Sequence, residues 1–448
     1  MMTGMRTTSQ ARPKWITLGP MKDGVRAAIE PEDLEKRRDT LYFTISACSL
    51  FLPLFFYTWW RGEPLHVLHH TDERLHYALV QTFASGSFPM DGKDYSSATT
   101  PLFHLTLALV DVITGGNRWF LRGFNLTITL LLAILVFRDV RRIGGRLNAW
   151  LIGWALLASP YIGSRGMVLL TENYSYLWFW LAARPWFLSR AMPTTRSILL
   201  SAGFLGLAAL TRQNWLWACP WMMAMLIARH RSPWRRGFSY ALAYLFPIAV
   251  CLPYFVVWRG LVPQIWHGVN QSDSLHLKAI AYAFVLLGLY VIILSPSHVL
   301  RKRSVKGVAL SLMAATLLGV ASQLHHESLF LDSGFVWFAS DHFPTFAGAN
   351  SLLVLLSALG LLELGDALGR DRLEYACYLA LFAASFAHVR LCFQKYYEFP
   401  LLLALLMSTV RFPLCRSDRI GRFVWIALGI AYLFSKISKL EAPLLGGA

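Results

Sequence analysis

Apolar and polar positions alternate along this chain in blocks, not residue by residue. Windows of about 18 or more mostly apolar residues recur over its whole length, and each is followed by a short polar or basic stretch. Lipid offers no partners to backbone groups, so segments of this kind form helices, which satisfy their own hydrogen bonds. The residue-by-residue alternation of a membrane barrel is absent. The pattern predicts an all-α polytopic membrane protein.

The first span is expected over Leu41–Trp60, preceded by a polar tail, residues 1–40, that ends in "EKRRD". That basic cluster places the tail on the cytosolic side. Residues 61–121 then form the first outer loop. Its apolar stretch "TTPLFHLTLALVDVITG" contains Pro101, His104 and Asp111 and reads as a juxtamembrane helix on the outer face. The second span, Arg122–Phe137, runs into "RDVRRIGGR", an inner loop. Further basic stretches at Arg184–Arg196, Arg229–Arg236, Arg301–Lys306, Gly369–Arg372 and Arg411–Arg422 continue the alternation. The outcome is about 13 spans within a transmembrane domain of residues 41–440. The spans near Ile198–Leu210 and Leu401–Val410 are short against the roughly 20 residues a crossing needs. Residues 441–448 form a tail.

Composition agrees: 56% of the 448 residues are hydrophobic, 15% are charged, and the mean hydropathy is +0.46. The net charge of +17 would suit a nucleic-acid binder only if it were gathered on one patch. Here it falls in short clusters between apolar runs, so nucleic acid is not an expected partner. Six cysteines stand singly, without CxxC spacing, and indicate neither zinc nor a disulfide framework.

Chemistry-bearing residues gather in the outer segments. In "HHTDERLHYALVQTFASGSFP" a short amphipathic helix would place Asp72 and His76 on the face of Leu75, Leu79 and Phe83, with Glu73 at its edge. Arg74 and Gln81 would point away. A carboxylate on an apolar face is partly desolvated, which suits a general base; a solvated helix start capped by Thr71 or Asp72 is the alternative. Glu172 precedes another span and is either solvated, an acceptor-binding group or an alternative base. Arg212, Gln213 and Asn214 form a polar break between apolar runs, either a hairpin corner or a phosphate and sugar site. "QKYYEF" joins Lys395 to Glu398 at helical spacing, with tyrosines that suit an interface belt. Adjacent pairs His69-His70 and His325-His326 diverge by about 100° on a helix, so no metal site is expected. Sequons occur at Asn173 and Asn270.

The order of these stretches resembles the GT-C superfamily of membrane glycosyltransferases. Within it, the chain is similar to the dolichyl-phosphate-glucose α-1,2-glucosyltransferases, which add the terminal glucose to a lipid-linked oligosaccharide. The matching stretches are "TDERLHYALVQ" (Asp72, Glu73, His76, Gln81), "GSF", "TTP", "LRGFN" (Arg122, Asn125), "TEN" (Glu172), "TRQN" (Arg212, Gln213, Asn214) and "QKYYEF" (Gln394, Lys395, Glu398). Of the family's late Asp-Asn-Arg-His-Tyr run, "SDHFPTF" keeps Asp341, His342 and the aromatic Phe343. Pro400 stands where the family tends to have Arg, and the long insert of a middle cytosolic loop is missing.

The resemblance implies a GT-C-like bundle and inverting transfer of a hexose, glucose first, from a polyprenyl (dolichyl) phosphate donor to a lipid-linked glycan acceptor. Asp72 would take the hydroxyl proton, with Glu73 or Glu172 orienting the acceptor. Arg212 and Lys395, with Arg122 behind them, would face the leaving phosphate, and the remaining matched residues would line the substrate site. Phosphate already leaves well, so no metal or cofactor is called for. The active site would lie on the lumenal or outer face, of the endoplasmic reticulum or of a bacterial plasma membrane. A transporter or flippase of lipid-linked sugars is the second reading, although no inverted-repeat halves are visible.

Overall fold

The computed structural model describes residues 31–60, 70–89, 95–189, 191–229, 234–268, 270, 274–301, 303–326, 332–368, 373–410 and 414–438. Most of the expected N-terminal tail, all of the C-terminal one, and His69 therefore lie outside the described residues. The structure is helical almost throughout. Among the described residues, five helices are long and apolar enough to cross a membrane by length and composition. The protein is an all-α polytopic membrane protein.

Helix α1 (Pro31–Trp60) begins with a proline whose missing N–H costs nothing in the first turn, and with Glu32 and Asp33 where the helix dipole favours acids. Phe43, Ala47, Phe51 and Phe55 recur every four residues and pack inward, while Leu41, Ile45, Leu52 and Phe56 stay exposed. A helix apolar on both sides suits a protein core on one and lipid on the other. It starts ten residues before the expected span. Its polar first turns hold because Glu35 and Asp39 bond Arg141 at 3.1 and 2.7 Å.

Helices α2 (His70–Ala84) and α3 (Leu102–Thr114) pack on each other beside the start of α4 (Arg118–Leu157). The Asn117 side chain caps α4 by accepting the Trp119 amide at 2.9 Å. The expected inner loop "RDVRRIGGR" is helical instead, broken only at Gly145, whose φ of 77° is open to glycine. Between Arg118 and Arg141 the helix rises about 35 Å at about 1.5 Å per residue, the scale of a bilayer core.

The chain continues through α5 (Thr171–Leu188), α6 (Thr195–Thr211), α7 (Ala218–Arg229), α8 (Trp234–Ala241), α9 (Phe246–Trp258), α10 (Leu277–Leu294) and α11 (Pro296–Val299). It ends with α12 (Val305–Ala321), α13 (Phe335–Ser340), α14 (Ser351–Leu368), α15 (Leu373–Ala384), α16 (Gln394–Thr409) and α17 (Arg416–Ser438). Among the described residues, four two-residue strands form two small sheets: β1 (Asp332–Ser333) parallel to β4 (Cys392–Phe393), and β2 (Thr345–Phe346) antiparallel to β3 (Ala349–Asn350). Helices α10 and α14 approach closely. A Cβ on Gly288 would strike the Leu356 carbonyl, and one on Gly360 the Phe284 carbonyl.

Ion pairs close the end of the bundle that carries the start of α1. Arg146 joins Asp39, Arg184 bonds Asp139, Arg229 grips Glu374 with two bonds of 2.8 Å, and Arg303 reaches Asp366. Most of the expected inner basic clusters thus meet carboxylates at one end. The candidate chemistry lies at the other.

Candidate active site

Glu73 is the deeper of the acidic pair, not the edge residue its position on the helical face suggested. It is 1% exposed and takes two parallel bonds from Arg122, each 2.7 Å. Arg118 stands 3.2 Å away, and the Leu169 amide donates at 3.3 Å. Burial alone would push its carboxyl up, but the Arg122 bonds outweigh that and hold it below the usual range. Glu73 and Arg122 therefore pin α2 to α4. Asn125 has a similar task, donating from Nδ2 to the carbonyls of Arg165 and Val168.

Asp72, one residue earlier, is about half exposed and takes 2.8 Å from Lys395 Nζ at the start of α16. Burial opposes its charge, yet the ammonium outweighs burial and keeps the carboxyl well below the usual carboxylate range. Lys395 also lies 3.9 Å from Glu172 in the first turn of α5. Glu172 pairs with Arg212 Nη1 at 3.0 Å, and the same nitrogen donates to Thr171 at 2.7 Å. The Tyr396 ring lies about 5.0 Å from both cations. Four helix ends, the starts of α2, α5 and α16 and the finish of α6, thus bring Asp72, Glu172, Arg212 and Lys395 into one cluster. A narrow crevice leads from it, lined by Glu172, Arg212, Tyr176, Trp215, Tyr396 and Phe382.

One cation of the cluster was not singled out in the sequence. Arg165, in the short 3₁₀ turn Ser164–Met167, is 4% exposed, and its charge acts on both Asp72 and Glu172. Its Nε and Nη1 have no hydrogen-bond partner among the described residues; the guanidinium lies 5.2 Å from the Tyr161 ring. A buried guanidinium left unpaired is costly unless something anionic joins it. The cluster counts three cations against two carboxylates, so an anion would complete it.

His76 also belongs here. The charges of Asp72, Glu172, Arg212 and Lys395 all act on it. Burial, with the two cations, outweighs the carboxylates and pushes its imidazole down to about 4, so it is neutral at pH 7.

Most of the other expected residues lie elsewhere. Lys395 and Glu398 part company: Glu398 is fully buried and accepts from Ser159, Tyr290 and Gln394. Gln394 bridges that network to the Phe335 amide at 3.1 Å. Tyr397 is fully buried too and so is no belt residue. Gln81 is exposed and bonds Tyr77, Gln213 bonds the Ala98 carbonyl, and Asn214 borders the crevice. Asp341 pairs with His326 at 3.1 Å, and His342 is exposed beside it. Asn173 is buried, donating to Thr129 and the Ile162 carbonyl, which removes it as a glycan acceptor.

No protein-family profile matches the chain, and neither does any curated protein. Among solved structures, the crystal structure of ArnT from Cupriavidus metallidurans in the apo state is similar over 82% of this chain and 72% of that one. The identity is 15% and the TM-score 0.38, and no residue correspondence follows from it.

Proposed function

We propose that this protein is an inverting membrane glycosyltransferase of the GT-C kind, moving a hexose from a polyprenyl-phosphate donor to a hydroxyl of a lipid-linked glycan. The observation that carries the reading is the charge cluster at one end of the bundle. A half-exposed carboxylate, Asp72, stands beside three cations that hold one positive charge in excess, at a helix end where a prenyl tail could lie in lipid.

In the reaction, the acceptor hydroxyl attacks C1 of the sugar opposite the phosphate. The C1–O bond to phosphate breaks, its electron pair leaves with the polyprenyl phosphate, and the hydroxyl proton passes to Asp72. Negative charge grows on the leaving oxygen, where Lys395, Arg212 and Arg165 are preorganised to receive it. In the resting site Lys395 holds Asp72 in a weakly basic state. A phosphate that captures this ammonium removes the counter-charge and raises the affinity of Asp72 for a proton as the hydroxyl arrives. Glu172, fixed by Arg212, is placed to orient the acceptor.

Purified protein in detergent, given polyprenyl-phosphate hexoses with labelled sugar, should move the label to an acceptor lipid and release polyprenyl phosphate. Glucose is the first sugar to try, from the resemblance to the dolichyl-phosphate-glucose enzymes. Arg165→Gln should raise the donor KM roughly tenfold, the worth of one bond to a charged group. Label that crosses a vesicle membrane still attached to its prenyl carrier, with no transfer, would replace this reading by transport.

A further inference from the structure

Behind His76 lies a chain of hydrogen bonds that the charge cluster does not require. His76 Nδ1 is 2.8 Å from Nε2 of His104 on α3, and His104 Nδ1 is 3.2 Å from the hydroxyl of Tyr95. His104 and Tyr95 are fully buried. Asp72 lies one helical turn before His76 on α2. The row thus runs from a buried phenol, through two imidazoles, into the charged site.

Each neutral imidazole carries one proton, so fixing one bond fixes the rest. A phenol is a good donor, and an imidazole nitrogen is a better acceptor than a phenol oxygen. Tyr95 therefore donates to His104 Nδ1, His104 carries its proton on Nε2 and donates it to His76 Nδ1, and His76 is left with its proton on Nε2.

We infer that Tyr95 and His104 are positioning residues that hold His76 as an Nε2–H donor to a phosphate oxygen of the bound substrate. This rests on the proposed function for the identity of the phosphate, but not for the tautomer. The opposite arrangement would offer a lone pair to the cluster, which the carboxylates of Asp72 and Glu172 and an incoming anion disfavour. A neutral donor adds a bond to the leaving oxygen without a fourth positive charge.

Two measurements test this. In ¹⁵N spectra of histidine-labelled wild-type protein, with resonances assigned from His76 and His104 variants, both rings should be Nε2-protonated without substrate, and Tyr95→Phe should mix the tautomers. In the transfer assay, glutamine places an amide near the imidazole Nε2 position and asparagine near Nδ1. His76→Gln should therefore stay within roughly tenfold of wild type, while His76→Asn should lose roughly 100-fold in kcat, the scale of one lost donor to a developing charge. Tyr95→Phe should lower kcat with little change in donor KM. Nδ1-protonated His76 in the wild type would overturn the inference, as would equal losses in the Gln and Asn variants with unchanged melting temperatures. A wild type that transfers nothing, yet shows the expected tautomers, would instead sink the proposed function and the phosphate with it, leaving the proton row intact.

Discussion

Asp72 and Glu73 are chemically alike and adjacent, yet one meets a lysine in the charge cluster and the other an arginine fork. Sequence could place both on a short amphipathic helix; it could not say which would meet Arg122, because that partner sits 49 residues away on another helix. Arg165 was hidden for a related reason: nothing in "SRGM" shows that its guanidinium turns inward. Acid stability reports on these residues. His76 and His104 are held below the ordinary imidazole range, so on acidification the unfolded chain takes up protons first. Their contribution is complete above about pH 6.5 and declines as pH falls below it, that of His76 toward about pH 4. Asp72 and Glu73 are held low instead, so theirs persists above about pH 4 and is lost only below it. Melting temperature in detergent should therefore fall in two stages, and replacing both histidines by glutamine should flatten the first alone. A melting temperature that rises between pH 6.5 and 4 would contradict these assignments.

At the scale of elements, apolar windows found the helices better than their ends. The first turns of α1 and the bend in α4 are polar, and they are helical because their acids and arginines face one another across the bundle. Hydropathy does not register such pairs. Nor does it mark where backbones touch. Gly288 and Gly360 let α10 and α14 meet carbonyl against helix, as small residues do in membranes. Gly288→Val should force the pair apart and cost roughly 1–3 kcal/mol or more by overpacking. Gly203→Val, where a Cβ would meet nothing, is the control. Thermal unfolding of the two variants in the same detergent checks this, and equal midpoints would rule out the close contact.

Across the whole molecule, two polar collars lie about 35 Å apart along α4, one of arginine–carboxylate pairs and one holding the charge cluster. The alternation of basic and acidic segments made this division legible from sequence, although not the pairings inside either collar. Exposed Cys415 lies near the first collar and exposed Gln81 near the second. In a background with the other cysteines changed to serine, an impermeant maleimide should reach Cys415 from one side of a sealed vesicle. A cysteine at position 81, with Cys415 removed, should react only from the other. Labelling of both from one side would break the two-ended arrangement. The most direct test of the account is transfer by Asp72→Asn, measured beside wild type with the same donor and acceptor. Loss of about 100- to 10,000-fold in kcat, the range of a removed general base, with donor binding retained in a protein that still folds, is the predicted result. Transfer at the wild-type rate would remove Asp72 as the proton acceptor and, with it, the mechanism built on its pair with Lys395.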